Sequence, residues 1–259
     1  MTWVMRETRL GIGFSQNRNT PAFPPARRSG TLVLVVGHRP RLTLGPMQNP
    51  VRGFLHGAAA LASAVGATFL WERGAGGGSA RLALLAFGAS LVALYTTSSL
   101  YHSFPWRLAW KRRMQRLDHA MIYVLIAGTY TPMAAIALEG WLRWAALGAS
   151  WGIAAVGIAQ KAFWPRLPDG FSIALQTTQG WLALPLFFPL AERLPAPALA
   201  LGLLGGALYT VGMVLLVTER PRLWPRVFSY HEFFHVLVVS GSAAHYAMAL
   251  GYLAPLASG

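Results

Sequence analysis

The chain alternates between long apolar runs and short polar connections. Seven runs of roughly 20 residues, each long enough to cross a ~30 Å hydrocarbon layer, fall near 53–71, 82–103, 118–138, 142–163, 171–190, 197–217 and 232–254. Hydrocarbon offers no partner to backbone amides and carbonyls, so each run must satisfy them internally, which predicts helices. The expected fold is all-α, a seven-transmembrane helix bundle occupying residues 47–259. Residues 1–46 break the pattern. They are arginine-rich, contain Pro21, Pro24 and Pro25, and hold one apolar patch, Thr31 to Val36, too short to span. No small-residue cleavage pattern follows a proper apolar core, so the stretch makes a poor signal peptide. It reads as a basic, disordered tail, or as a mis-assigned start ahead of Met47.

Composition supports this parsing. Of the 259 residues, 54% are hydrophobic and 12% charged, about half the charged share of an ordinary soluble domain. The chain has no cysteine, which excludes a disulfide framework, a thiolate metal site and a thiol nucleophile. Lysine and arginine set the orientation. Eighteen of the 22 basic residues fall on one set of alternating sides and four on the other. The N-terminus is therefore expected in the cytoplasm and the C-terminus outside, in a multi-pass protein of the cell membrane. The net charge of +14 follows from this topology and from contact with anionic lipid headgroups. The basic residues are scattered through loops, so a nucleic-acid role is not expected. Arg107, Lys111, Arg112, Arg113 and Arg116, interleaved with Trp106 and Trp110, read as a headgroup anchor at a helix end.

Polar residues inside the runs carry the candidate chemistry. His231 and His235 in Ser229-Tyr230-His231-Glu232-Phe233-Phe234-His235 are four apart, so on a helix they share a face. They read either as a metal-gripping pair or as hydrogen-bonded core histidines. The second run ends Thr96-Thr97-Ser98-Ser99-Leu100-Tyr101-His102. Hydroxyls bonding back one turn account for Thr96, Thr97 and Ser99, but not for His102. The third run opens on Asp118-His119, where helix capping is a sufficient role for a carboxylate.

The expected topology puts His102, Asp118, His231 and His235 at the cytoplasmic ends of three helices, in one layer. Three imidazoles and a carboxylate without sulfur suit zinc. Asp118 could bind the ion, or hold and deprotonate its water. His245 lies 10 residues beyond His235, about 15 Å along a helix, too far to share the ion. His119 is rotated about 100° from Asp118, His38 lies in the tail, and a lone His56 reads as an interfacial or packing residue.

The remaining polar positions read as structure. Pro132 should kink its helix, and Thr129 and Tyr130 could line a cavity deeper than Asp118. Gly148, Gly152 and Gly157 read as packing positions. The stretch from Gln176 to Gln179 is a costly polar patch at membrane depth, and Pro185 and Pro189 should bend the outer half of that run. The sixth run shows no candidate chemistry, and no polar stripe follows the full length of any run. His231 to His235 also fits the five-residue metalloprotease pattern. No acidic residue follows Glu232, however, and His245 has the wrong spacing, so a protease is not expected.

Taken together, Ser98 to His102, Leu117-Asp118-His119 through Ala127-Gly128-Thr129-Tyr130-Thr131-Pro132, and His231 to His235 with Gly241 and His245-Tyr246 closely resemble the bacterial haemolysin III proteins. That family is related to the adiponectin and progestin receptors (PAQR) and more remotely to the alkaline ceramidases. The resemblance spans about residues 50–255. It implies a seven-helix bundle with zinc (Zn2+) at its cytoplasmic end, held by His102, His231 and His235. Asp118 would act near the metal's water, and Ser98 would either support the site from behind or position substrate. The implied activity is hydrolysis of a membrane lipid amide or ester. The alternative is a pore-forming cytolysin-type or receptor-like protein with a structural zinc. The oligomeric state is not legible.

Overall fold

The computed structural model describes residues 47, 49–74, 78–224 and 227–257. The readings of residues 1–46, including the tail and His38, lie outside the described residues. Each apolar run is helical. Helices α1 (Pro50–Arg73), α2 (Gly78–Ser103), α3 (Leu108–Ala137) and α4 (Gly140–Phe163) are followed by α5 (Asp169–Trp181) and α6 (Ala183–Ala191). Then come α7 (Ala196–Thr218) and α8 (Tyr230–Met248), the latter continuing through a π-helical turn, Ala249–Leu253, into the short α9 (Ala254–Leu256). No strand occurs among the described residues. Six helices are long and apolar enough to cross a membrane: α1, α2, α3, α4, α7 and the Tyr230–Leu256 unit. The chain is a multi-pass membrane protein.

Two departures from expectation have local causes. The fifth run is two helices, of 13 and 9 residues, divided at Leu182. Pro185 lacks an N–H and its ring crowds the carbonyl four residues back, that of Trp181, so α5 ends there. α6 restarts two residues later with Pro185 in its first turn. By contrast α3 stays one helix through Pro132. It also starts ten residues before Asp118, so the basic segment read as a loop is helix. No proline or glycine interrupts the chain between Pro105 and Asp118. The exposed Arg113 guanidinium there lies 5.0 Å over the Trp110 ring.

Extensive packing joins α1 to α2, α2 to α3, α3 to α4 and α7 to α8, and α8 closes back on α1. The core lies largely along α2 and α3, around Leu84, Phe87, Leu91, Tyr95, Leu125 and Tyr130. α7 buries only Ala198, Gly205 and Gly212, each seven residues from the next. Such a small-residue seam lets a neighbouring backbone approach closely. A Cβ on Gly205 would meet the His245 ring at 2.5 Å, and one on Gly212 would meet Phe234 at 3.3 Å.

Polar groups inside the bundle act chiefly as interhelical ties. Gln179 is fully buried. Its amide donates to the carbonyls of Tyr123 in α3 (3.1 Å) and Ser150 in α4 (3.0 Å), which explains the costly polar patch. Tyr130 donates to the Gly180 carbonyl at 2.7 Å and Thr129 back to Leu125 at 2.8 Å. Both hydroxyls are thus engaged with main-chain carbonyls.

Of the α4 glycines, only Gly157 is a contact position. A Cβ there would lie 2.5 Å from the Tyr123 ring, whereas nothing stands within 4 Å at Gly148 or Gly152. Tyr123 is fully buried and its hydroxyl is tied to the Ser172 carbonyl at 3.2 Å, so the ring has little freedom to yield. Gly157→Ala is therefore expected to destabilise the protein by about 1–3 kcal/mol through overpacking. Gly148→Ala and Gly152→Ala should be neutral or mildly stabilising. Thermal unfolding of the three variants in detergent checks the contrast.

Candidate metal centre

The start of α8 is set by its own sequence. Main-chain pairing of Trp224 with Phe228 (2.8 and 2.9 Å) delivers the chain to Ser229. Ser229 and Glu232 then form a reciprocal capping box, with Ser229 N–H donating to Glu232 Oε2 at 2.8 Å. Satisfying the first free amides in this way places His231 in the first turn and His235 in the second. His102 occupies the last turn of α2, and its carbonyl accepts the Asn49 N–H at 3.1 Å.

These two helix ends converge. The ligating atoms of His102, His231 and His235 lie within 4.8 Å of one another, with His102 and His235 buried and His231 half-buried. Ring centroids are 5.5 Å apart for His102–His231, 5.0 Å for His102–His235 and 4.9 Å for His231–His235. His235 Nε2 is buried and bonds no protein atom. An orphaned imidazole nitrogen aimed into a cluster of two others fits a metal ion better than a packing role. The all-nitrogen, thiol-free donor set fits zinc, whose Zn–N bonds of ~2.0–2.1 Å can draw such a cluster together.

The other candidate residues divide between the neighbourhood of this trio and other parts of the bundle. Asp118 and Ser98 are both buried, and the Ser98 hydroxyl bonds the Asp118 carboxylate. Since Ser98 precedes His102 by one turn of α2, the carboxylate lies beside the trio and is not a member of it. The Ser98 hydroxyl is thus engaged with Asp118. His119 lies instead by Lys161 and Asp169. His245 packs against Tyr209 with centroids 5.5 Å apart and takes no part in the trio.

Glu232 resolves the protease motif. One oxygen accepts the Ser229 amide, and the other accepts Arg52 Nε at 2.6 Å in an ion pair whose side chains are 7% and 9% exposed. A carboxylate bound at both oxygens is not a free base. Sequence reasoning assigned Arg52 to the topogenic charges and His56 to packing, yet both face the site. His56 Nε2 stands 2.8 Å from His235 Nδ1. The available signal was spacing, since Arg52 and His56 are four apart like His231 and His235.

The sixth run, read as chemically silent, supplies Tyr209. Its hydroxyl shares a hydrogen bond with Ser242 Oγ (2.8 Å), which also accepts the Tyr95 hydroxyl (2.6 Å). His231, His235, Ser242 and His245 thus form a polar stripe along α8, continued sideways by two tyrosines.

The haemolysin-III related family model matches residues 46–246. The chain is 37% identical over 183 residues to hemolysin-3 of Bacillus cereus, covering 71% of this chain and 80% of the relative. It is 34% identical over 199 residues to a hemolysin-3 homolog of Bacillus subtilis (strain 168), covering 76% and 90%. A helical membrane bundle with three histidines gathered at its helix ends thus belongs to the haemolysin III family.

Removing one partner of the Arg52–Glu232 pair leaves a buried, uncompensated charge, which costs about 3–5 kcal/mol. Arg52→Ala should lower the detergent melting temperature sharply. The double variant Arg52→Met/Glu232→Gln should recover most of the loss, because it removes both charges and a glutamine at 232 still accepts from Ser229. A single variant as stable as wild type would count against the pair.

Proposed function

We propose that this protein is a zinc-dependent hydrolase of a membrane lipid amide or ester, with its metal centre at the cytoplasmic end of a seven-span bundle. The buried His102–His231–His235 trio beside the Ser98–Asp118 pair is the observation that carries this reading. The seventh crossing is α5 followed by α6: residues 169–191, broken once, reach about 34 Å at 1.5 Å per residue. An odd number of crossings places the termini on opposite sides, and the basic bias puts the N-terminus in the cytoplasm. The helical, basic start of α3 then meets anionic lipid headgroups.

His102, His231 and His235 would hold the ion. When bound, zinc acidifies a coordinated water toward pKa ~7 and polarises an acyl carbonyl. Asp118, whose carboxylate bonds Ser98 one turn from His102, would take up the proton released at the centre. Ser98 donates to that carboxylate and holds its orientation. The site lies in the terminal turns of α2 and α8, the depth at which a lipid's amide or ester joins its chains to the headgroup.

A second reading has its own support in the name of the relatives, hemolysin-3. Here the trio is a structural zinc site in a pore-forming cytolysin-type or receptor-like protein. The stripe along α8 removes one argument against it, because polar side chains do extend well into the bundle.

The two readings separate experimentally. Purified protein should contain about one zinc, lost in His235→Ala. Lipid hydrolysis, followed by mass spectrometry over a panel of ceramides and glycerolipids, should fall by roughly two or more orders of magnitude in Asp118→Asn, with zinc content and fold kept. Metal-loaded wild type that cleaves no lipid across the panel, but lyses vesicles equally with or without Asp118, would move the assignment to the second reading.

A further inference from the structure

α1 contributes no ligand, yet it touches every part of the frame that holds the ligands. Asn49, Arg52, Gly53 and His56 recur at three- and four-residue intervals, hence on one face of its first two turns. Asn49 N–H donates to the His102 carbonyl at 3.1 Å. The Arg52 guanidinium pairs with Glu232 at 2.6 Å. The Gly53 carbonyl accepts the Ser99 hydroxyl at 2.8 Å. His56, 3% exposed, sets its ring 4.0 Å from that of His235, tilted by 51°.

The His56–His235 contact carries chemical information. A neutral imidazole that ligates through one nitrogen bears its proton on the other, and the partner of that N–H fixes the tautomer and the ring orientation. His235 Nε2 is the nitrogen left without a protein partner, so in the ligating form Nδ1 carries the hydrogen. That N–H faces the His56 ring, with Nε2 at 2.8 Å and Nδ1 at 3.2 Å. The nearby carboxylates are already engaged: Glu232 by Arg52 and the Ser229 amide, Asp118 by Ser98. His56 must therefore accept with a ring nitrogen, Nε2 being the nearer of the two, and carry its own hydrogen on the other.

We propose that His56 is a positioning residue for the metal centre: it accepts the Nδ1 hydrogen of His235 and so holds His235 in the tautomer that presents Nε2 to the ion. The first two turns of α1 are then a clamp across the ligand-bearing ends of α2 and α8. The inference rests on reading the trio as a metal site, but it is independent of whether that site is catalytic.

The test uses full-length protein in detergent, with zinc affinity from chelator competition and the visible spectrum of the cobalt-substituted form. His56→Phe keeps a ring but removes the acceptor, whereas His56→Gln restores one. We expect His56→Phe to weaken zinc binding by roughly 10–100-fold and to shift the cobalt bands. His56→Gln should recover most of the affinity. The metal-free melting temperature of His56→Phe should stay near that of wild type, which separates the effect from misfolding.

Wild-type affinity and spectrum in His56→Phe would overturn the proposal and leave the metal centre standing. A wild-type protein that binds no zinc would overturn the metal reading and this inference with it. If His56→Phe does not fold, 15N spectra of histidine-labelled, metal-free wild type decide the question. His235 protonated at Nδ1, with a neutral His56, is the expected pattern, and His235 protonated at Nε2 overturns the proposal.

Discussion

A polar group inside a hydrocarbon-embedded bundle must find its partner within the protein, because lipid supplies none. The contact between α1 and α8 meets this constraint at its most demanding point. Arg52 and Glu232 are charged, nearly fully covered and 2.6 Å apart, and one turn further in His56 meets His235. Two helices far apart in sequence are joined by groups that cannot be left alone. The pair also completes the cap of α8, since the same Glu232 receives the Ser229 amide. The position of His231 and His235 is thus tied both to their own helix start and to α1.

The same rule orders the deeper polar residues. Tyr95, Tyr209 and Ser242 exchange hydrogen bonds across α2, α7 and α8. Gln179 bridges two carbonyls on neighbouring helices. In membrane proteins such ties average less than about 1 kcal/mol each, because the unpacked chain finds partners too. Their value lies in register: each of these hydrogen bonds forms at one relative height of its helices. Close packing at Gly157, Gly205 and Gly241 permits that height and little else. His235 Nε2, buried without a protein partner, differs from the other buried groups in being set among two further imidazoles.

The five residues from His231 to His235 show why a motif must be read in its surroundings. In a metalloprotease the glutamate between two helical histidines is a free base. Here the same letters produce a glutamate bound at both oxygens. In the proposed hydrolase the proton would go instead to Asp118, which comes from another helix and is held by the Ser98 hydroxyl. The spacing of two histidines is a local property of a helix, whereas the role of the residue between them is set by what packs against it.

Sequence alone determined the helical class, the positions of the apolar runs to within a few residues at most boundaries, and the layer in which His102, His231 and His235 meet. All three follow from one-dimensional physics: run length against membrane thickness, the 3.6-residue repeat, and alternation of direction from one span to the next. The break at Leu182 was half legible, because Pro185 marked a disturbance without placing it. The structure alone decided what faces what: that Arg52 is a buried partner rather than a topogenic charge, that His56 abuts His235, that Tyr209 gives α7 a polar contact, and that Gly157 packs while Gly148 and Gly152 do not. Those outcomes depend on the rotation of each helix about its own axis. An apolar run surrounded by lipid leaves that rotation undetermined until neighbouring helices pack against it.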